Sequence, residues 1–261
     1  MLIFVGLGLY KLNDLTLSGL SWMKAADILY LDTYTSIIPG FSMKLLRELI
    51  GKDIVPLRRK QIEEEGERIL MEAKDKIVVL LVPGDPFVAT THMRLRLDAV
   101  EKNIETKVVH APSIISAISG ETGLFNYKFG RTVTIPFPYE NYLSETPYDV
   151  VKENLERNLH TLLLLDADVE RNRYMSINEA LEILIKIEGK RREAIITMDR
   201  LVVGVARIGA DDSIVIARPI KELLKRDFGP PPQSIIIPGR LHFIEAEALV
   251  KLAGAPRRIL K

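Results

Sequence analysis

The stretch that decides the fold is KIVVLLVPGDPFVATTH, residues 76–92. Its first part, 76–82, is a continuous apolar run, which is typical of a central parallel strand buried on both faces. Pro83 then ends the strand, Gly84 permits an unusual backbone conformation, and Asp85 places a carboxylate just before a helical pattern begins. Ligands of open α/β sheets bind outside the carboxyl ends of the strands. The stretch therefore predicts a parallel α/β sheet with a candidate ligand site at that edge.

Short β-rich runs alternate with amphipathic segments on both sides of this stretch. Besides the central run, strands are predicted at residues 2–5, 26–32, 53–57 and 106–110. Apolar residues at helical spacing predict helices at residues 16–26, 42–51, 61–73 and 89–100. Strands that alternate with helices form right-handed βαβ units, so we expect a parallel sheet in this half of the chain.

The second half of the chain follows a different pattern. Three strand-like runs, AIITMD (194–199), LVVGVARIG (201–209) and SIVIARP (213–219), follow one another with very short connections. Such spacing favours antiparallel hairpins over crossovers. We expect two α/β domains without a flexible linker, a mostly parallel one at residues 1–112 and a mixed one at residues 113–261.

Composition narrows the class of protein. The chain has 261 residues, a formal net charge of +1, 47% hydrophobic residues and 0 cysteines. So much apolar surface excludes disorder, and the balanced charge gives no reason to expect nucleic acid or an anionic membrane as partner. Without cysteine there are no disulfides and no thiolate sites. No apolar run reaches the roughly 18–20 residues of a membrane span, and the N-terminus lacks the features of a secretory signal, so we expect a cytoplasmic protein.

Glycines follow the first predicted strand in GLGLY (6–10), and two interpretations of them stay open. Glycines allow a tight turn and a close approach to a ligand, as in dinucleotide-binding loops. A full dinucleotide fingerprint needs a third glycine where this chain has Lys11. The alternative is a simple strand-to-loop turn.

Three further loops follow predicted strands. Asp85 is a candidate ligand-binding residue, with a turn or cap role as the alternative. Ser113 in HAPSII (110–115) is suited to cap a helix. The segments VARIG (205–209) and PPPQSIIIPG (230–239) suggest a rigid wall rather than a catalytic centre.

No motif for covalent or metal chemistry is present in the sequence. The four histidines, at positions 92, 110, 160 and 242, lack metal-ligand spacing, and each is expected to be a hydrogen-bonded structural residue. There is no GxSxG elbow and no GxxxxGK[ST] loop. The pattern favours an enzyme that binds and positions its reactants over one that uses a nucleophile.

The order of the loops is more specific than any one of them, and it resembles the diphthine synthase family. That family belongs to the tetrapyrrole-methylase-like (class III) methyltransferases, which depend on S-adenosylmethionine. The resemblance spans the chain and lies in GLGLYKLNDLT (6–16), VPGDPFVATTH (82–92), HAPSIISAISGETGL (110–124), NYKFGR (126–131) and IPGRLHFIEAEALVKLAGAP (237–256).

The resemblance implies a methyl donor folded between two α/β domains and held largely by backbone groups. The positions that match the family's donor contacts are Leu9, Asp85, Val88, Ser113, Ile114, Leu165, Ala206 and Gln233. Related sequences often have His where this chain has Gln233. A main-chain contact tolerates that exchange, whereas a side-chain contact does not.

The implied reaction is the trimethylation of the α-amino group of a 3-amino-3-carboxypropyl-histidine in translation elongation factor 2, giving diphthine. The sulfonium already activates its methyl group, so no general base is assigned. The resemblance also implies a homodimer, with the elongation factor as protein partner, and the histidine spacing described above predicts no metal. Alternatives are a small-molecule methyltransferase acting on a tetrapyrrole, a nucleotide-binding module without catalysis, and a purely structural interaction protein.

Overall fold

The computed structural model describes residues 1–140 and 142–260 of the chain. The pattern of backbone contacts divides it into two units, each with its own five-stranded sheet. Unit 1 comprises Met1–Ile114 and Asp168–Arg173, and unit 2 comprises the remainder of the chain.

The secondary structure alternates strands and helices. The strands are β1 (Leu2–Gly6), β2 (Ile28–Asp32), β3 (Val55–Leu57), β4 (Val78–Val82), β5 (Thr106–Val109), β6 (Val133–Ile135), β7 (Thr161–Leu165), β8 (Ala167–Asp168), β9 (Arg173–Tyr174), β10 (Leu201–Ala206), β11 (Ile214–Pro219) and β12 (Gln233–Ile237). The α-helices are α1 (Leu17–Ala25), α2 (Met43–Ile50), α3 (Arg59–Glu63), α4 (Glu67–Asp75), α5 (Met93–Glu101), α6 (Ile114–Thr122), α7 (Thr146–Glu156), α8 (Ile177–Arg191), α9 (Ile220–Leu223) and α10 (Phe243–Leu252).

The sheet of unit 1 is parallel throughout, in the order β3-β2-β4-β1-β5, which confirms the sequence-based expectation. Side chains alternate across a strand, so β1 serves two cores. Leu2 and Phe4 pack with residues of α4 and α5 on one face, and Ile3 and Val5 pack with residues of α1 and α2 on the other. Helices on both faces explain why β4 is apolar along its whole length.

The sheet of unit 2 is mixed, in the order β11-β10-β12-β7-β6. Its β10 and β11 form the predicted antiparallel hairpin, and within the described part of this sheet only β6 and β7 pair in parallel. A single core of buried residues from the sheet and from α7, α8 and α9 stabilises the unit.

The prediction of a strand at AIITMD (194–199) is wrong. Ala194 has a φ of 58°, in the left-handed region, and the following residues form bends. The carboxylate of Glu188 accepts hydrogen bonds from the backbone N–H groups of Ala194, Ile195 and Ile196 at 2.7–2.8 Å. A side chain therefore replaces the strand partner that these N–H groups would need.

Two predicted helices have different bounds in the structure. The segment 61–73 is divided between α3 and α4, with a break before Gly66, where a Cβ would lie 2.8 Å from the Ile62 carbonyl oxygen. The segment 89–100 becomes helical only at Met93, because Ala89 adopts a φ of 55°. Among the described residues, no helix combines the length and apolar character that a bilayer span requires.

Candidate functional site

The loops that follow β1 and β4 are joined to each other at the carboxyl edge of the parallel sheet. Gly8 and Gly84 form an isolated antiparallel bridge, with N···O distances of 3.3 Å and 3.0 Å. Both have positive φ, 85° and 71°, which favours glycine. Gly6 is needed for a different reason, since a Cβ there would lie 2.6 Å from the carbonyl oxygen of Gly84. The glycines of both motifs therefore hold two loops against each other.

Asp14 fixes the remainder of the GLGLY loop. Its Oδ2 accepts hydrogen bonds from the backbone N–H groups of Tyr10 and Lys11, at 2.7 Å and 3.1 Å. The N–H of Leu7 donates to the Val82 carbonyl at 2.9 Å. Most of the N–H groups that a phosphate would require are thus already used inside the unit. This arrangement favours the turn interpretation over a dinucleotide cradle.

Asp85 is almost completely buried, with 7% of its surface exposed, and it joins the loops after β4 and β5. Its Oδ1 accepts a hydrogen bond from the Phe87 N–H at 3.2 Å. Its Oδ2 lies 2.7 Å from His110 Nδ1 and accepts from the Ala111 N–H at 3.3 Å. Asp85 therefore has the turn role that was one of its two interpretations, and whether it also contacts a ligand stays a prediction.

The other predicted donor contacts in unit 1 lie in the same loops at the carboxyl edge of the sheet, or in the loop after β1. Leu9 follows Gly8 directly, and Val88 closes the turn after β4 by donating its N–H to the Asp85 carbonyl at 3.2 Å. Ser113 is buried and directly precedes α6, whose first residue is Ile114. All of these positions follow the carboxyl ends of β1, β4 and β5.

The predicted donor contacts of unit 2 also share one edge of their sheet. Leu165 ends β7 and Ala206 ends β10, while Gln233 begins the antiparallel β12 that lies between them. Ala206 and Gln233 are direct partners in the ladder. The three residues are therefore adjacent, although they are far apart in sequence.

The side chain of Gln233 has partners of its own inside unit 2. Its Oε1 accepts a hydrogen bond from the Ile177 N–H at 2.9 Å, and its Nε2 donates to the Gly229 carbonyl at 2.7 Å. Arg207 also fixes the segment that precedes Gln233, because its Nη1 donates to the carbonyls of Phe228 and Pro230 at 2.7 Å and 2.8 Å. The proline-rich segment is thus held in place by side chains.

A polar group that we did not single out from the sequence follows β2. Asp32 is 1% exposed, and its Oδ1 accepts hydrogen bonds from the N–H groups of Tyr34 and Thr35 at 2.8 Å and 3.0 Å. The Thr35 hydroxyl also donates to Asp32 Oδ2. The rule that selected Asp85, a carboxylate directly after an apolar strand, selects Asp32 as well.

His92 packs beside this carboxylate. It is fully buried, and its Nε2 lies 3.2 Å from Asp32 Oδ2. Among the described residues, neither ring nitrogen of His92 has a partner with hydrogen-bond geometry. Burial lowers the pKa of His92 and outweighs the negative charges of Asp32 and Glu63, which act to raise it. The imidazole is therefore neutral at neutral pH, and the expectation that each histidine is hydrogen-bonded is wrong for His92.

The other buried histidine lies in unit 2, and all its polar atoms are satisfied. His160 Nδ1 accepts a hydrogen bond from the Gly239 N–H at 3.0 Å, and its Nε2 lies 2.9 Å from Glu245 Oε1. Glu245 also accepts from the N–H groups of Phe125 and His242, both at 2.8 Å, and from Lys128 Nζ. Despite burial, these hydrogen bonds lower the pKa of Glu245 to about 2. The network ties the NYKFGR and PGRLH motifs together.

No group of three or more histidine and acidic side chains suited to a metal ion occurs in the part of the chain that the structure describes. His110 pairs with Asp85, and His242 begins α10, where its Nδ1 accepts from the Ile244 N–H at 3.3 Å. Both are hydrogen-bonded residues, as the sequence predicted.

Known proteins share this sequence and this fold. Residues 1–224 match the family described as tetrapyrrole (corrin/porphyrin) methylases. A diphthine synthase of Methanocaldococcus jannaschii is 48% identical over 251 residues, which cover 95% of this chain and 97% of the relative. A diphthine synthase of Methanococcoides burtonii is 46% identical over 266 residues, covering 100% of this chain and 99% of the relative. A crystal structure of a diphthine synthase superposes with a TM-score of 0.90 at 38% identity, covering 99% of this chain and 98% of that one.

Proposed function

The chain belongs to the diphthine synthase family within the tetrapyrrole methylases, and from this premise we propose that it is an S-adenosylmethionine-dependent N-methyltransferase. Its acceptor is the α-amino group of the 3-amino-3-carboxypropyl-histidine of translation elongation factor 2. Three successive transfers give the trimethylammonium product, diphthine. The observation that carries the proposal is the identity of 46–48% with diphthine synthases over nearly the whole length of both chains.

The carboxyl edge of the unit 1 sheet supports the donor part of the proposal. Leu9 lies between Gly8 and Tyr10, whose N–H groups are already used, and its own N–H makes no hydrogen bond within the described residues. That N–H and the buried Asp85 are suited to the polar groups of S-adenosylmethionine, while Val88 and Ile114 offer apolar surface. Leu165, Ala206 and Gln233 are proposed as further donor contacts. The engaged side chain of Gln233 favours contact through its main chain.

The chemistry requires positioning more than it requires a nucleophile. In each transfer the unprotonated amine forms an N–CH₃ bond as the S–CH₃ bond breaks. The sulfonium becomes a neutral thioether, and the nitrogen takes up the positive charge. A proton must leave to solvent before each attack, so three transfers release three protons. Well-oriented reactants can account for several kcal/mol of such a barrier, with ~7–11 kcal/mol as the upper range.

Two other functions are less well supported. A nucleotide-binding module needs N–H groups aimed at a phosphate, and those of the GLGLY loop bind Asp14, Gly84 and Val82 instead. A tetrapyrrole methyltransferase is compatible with the wider family match, but the relatives that are similar along the whole chain are diphthine synthases.

The decisive experiment is methyl transfer from labelled S-adenosylmethionine. The acceptors are elongation factor 2 carrying the unmethylated modified histidine, the same factor without the modification, and a porphyrinogen. We expect label only on the modified factor, and mass spectrometry should show three added methyl groups. Transfer to the porphyrinogen alone would establish the tetrapyrrole alternative, and no transfer to any acceptor would contradict the proposed function.

We also propose a homodimer that acts in the cytoplasm, as the family resemblance implies. Light scattering at micromolar concentration checks the oligomeric state, and the dimer proposal predicts twice the mass of 29.5 kDa. A mass of one chain would overturn it.

A further inference from the structure

The carboxyl edge of the unit 1 sheet carries a second polar group besides the one assigned to the methyl donor. The proposed donor contacts follow β1, β4 and β5. The second group combines Tyr34 from the loop after β2, Glu63 from α3 and Thr91 from the end of the loop after β4. Because β2 and β4 are neighbours in the sheet, these residues lie beside the loop after β4, which also carries Asp85 and Val88.

The three polar tips form a closed set of hydrogen bonds near the surface. Thr91 Oγ1 donates to Glu63 Oε1 at 2.7 Å, and the Tyr34 hydroxyl lies 3.0 Å from Thr91 Oγ1 and 3.3 Å from Glu63 Oε1. The Glu63 side chain is 31% exposed, and Thr91 is exposed as well. The three oxygen atoms therefore lie within 3.3 Å of one another close to the surface.

The protonation states of this triad are fixed over the neutral range. Burial, together with the charges of Asp32 and Glu63, raises the pKa of Tyr34 to about 12, so its hydroxyl keeps its proton. Partial burial raises the pKa of Glu63, but hydrogen bonds from Thr91 and Arg59 outweigh it and the net shift is downward. The triad therefore presents two neutral hydroxyls and the Glu63 carboxylate, which is also paired with the exposed Arg59 guanidinium through Nε at 3.2 Å.

The two members of the buried pair below the triad differ: Asp32 accepts hydrogen bonds from the loop after β2, whereas neither nitrogen of His92 has a partner with hydrogen-bond geometry among the described residues. His92 stacks on the Tyr34 ring with centroids 6.2 Å apart and an interplanar angle of 22°. Its neighbour Asp32 anchors the Tyr34 backbone. Burying an imidazole without hydrogen-bond partners costs stability, and residues that break the rule of satisfied polar groups concentrate at functional sites. A role of the pair in holding Tyr34 in place would account for this cost in stability.

We propose that Tyr34, Glu63 and Thr91 form the acceptor subsite, which binds the amino group that receives the methyl groups, and that the Asp32–His92 pair positions Tyr34. This inference deepens the proposed function and rests on it. An alkylammonium ion is small, positively charged and rich in N–H donors, and the triad offers a carboxylate and two hydroxyl oxygens to receive it.

The subsite also favours release of the product after the third transfer, when the nitrogen has no lone pair left to react. The incoming amine and its monomethyl and dimethyl forms each carry at least one N–H in their protonated state. The trimethylammonium product has none, so it keeps only its attraction to the Glu63 carboxylate and loses the hydrogen bonds to the triad. The three added methyl groups also keep the product's nitrogen farther from the three oxygen atoms. The subsite therefore binds the substrates more tightly than the final product.

Steady-state kinetics with the modified elongation factor test the subsite. In Glu63→Gln we expect the KM for the acceptor to rise about tenfold or more, because the charge is lost, while the dissociation constant of S-adenosylhomocysteine stays within twofold. Tyr34→Phe should raise the acceptor KM several-fold with the same donor affinity. The matched control is Glu64→Gln, which changes the next, exposed residue of the chain and should leave both constants unchanged.

The Asp32–His92 pair is tested by His92→Phe, which keeps the ring and the stack on Tyr34 but removes both nitrogens. We expect the acceptor KM to rise with donor affinity unchanged, because the contact of Nε2 with Asp32 Oδ2 at 3.2 Å is lost, and His92→Gln to restore part of the loss. Unchanged acceptor KM in Glu63→Gln and Tyr34→Phe would overturn the inference, as would an equal loss of donor affinity. Failure of the wild-type protein to transfer methyl groups would instead overturn the proposed function.

Discussion

The chain buries two histidine–carboxylate pairs, and their surroundings differ. In unit 2, His160 and Glu245 are surrounded by hydrogen-bond partners, and each polar atom of the imidazole has one. In unit 1, His92 lies 3.2 Å from Asp32 without hydrogen-bond geometry, and the carboxylate uses its oxygens to hold the backbone of the next loop. Both histidines are fully buried.

The difference separates a structural pair from a functional one. A satisfied buried network rigidifies the part of the fold that it joins, and the His160 network joins Phe125, Gly239 and α10. The Asp32–His92 pair holds only the loop that directly follows β2. It lies at the carboxyl edge of a parallel sheet, where ligands of such sheets bind. Stability should therefore depend on the first pair and activity on the second.

The largest expected effect on stability comes from Glu245→Ala. The change leaves Lys128, His160 and two backbone N–H groups without their shared acceptor. Removing one partner of a buried charge network costs about 3–5 kcal/mol. Chemical denaturation measures the loss. Glu247→Ala, on the exposed side of the same helix, is the control and should change the free energy of unfolding by less than about 0.5 kcal/mol. A similar small loss for both variants would show that the network is not structural.

The second largest expected effect on stability distinguishes the two buried histidines, His160 and His92. His160→Phe should lower the free energy of unfolding by about 2–3 kcal/mol, because the Gly239 N–H and Glu245 Oε1 lose their partner. His92→Phe should change it by less than about 1 kcal/mol, since no hydrogen bond is broken. Denaturation curves of both variants test this, together with the acceptor KM. Equal destabilisation by the two changes would remove the distinction.

The smallest effect is on the pH dependence of stability. Burial lowers the pKa of both His92 and His160 below the ordinary 6.5. The unfolded chain therefore binds protons that the native protein does not, and stability should fall as the pH drops below about 6.5. Unfolding at a series of pH values between 7 and 5 measures the slope. Each of the Phe variants should flatten it, and an unaltered slope in His92→Phe would mean that His92 takes up protons equally in the folded and the unfolded chain.

Much of the fold follows from local patterns in the sequence. The apolar run at 76–82 predicted the central parallel strand, and the short connection between β10 and β11 predicted their hairpin. The strand predicted at AIITMD failed because the Glu188 carboxylate, a side chain from the preceding helix, takes the N–H groups of that segment. The periodicity of residues 194–199 carries no information about an acceptor outside the segment.

The candidate site was only partly predictable, because local patterns indicate single residues but not the partners that the fold brings to them. Asp85 was selected because a carboxylate follows an apolar strand, and the structure adds that it joins two loops. Asp32 satisfies the same rule, but the surroundings of His92 are not predictable, because a lone histidine in a sequence gives no sign of its partners. Glu63 becomes recognisable only when the chain brings α3 beside Thr91. Contacts between residues so distant in sequence come from tertiary structure alone.

The most direct test of the account is calorimetric titration of S-adenosylhomocysteine into the wild-type protein, with Asp85→Ala measured in parallel. We expect saturable binding to the wild type and an affinity at least about tenfold weaker for the variant, a difference of roughly 1.4 kcal/mol. The variant's denaturation curve confirms that it is folded. A wild-type protein that does not bind S-adenosylhomocysteine but binds NAD or ATP would contradict the assignment of the carboxyl edge to a methyl donor.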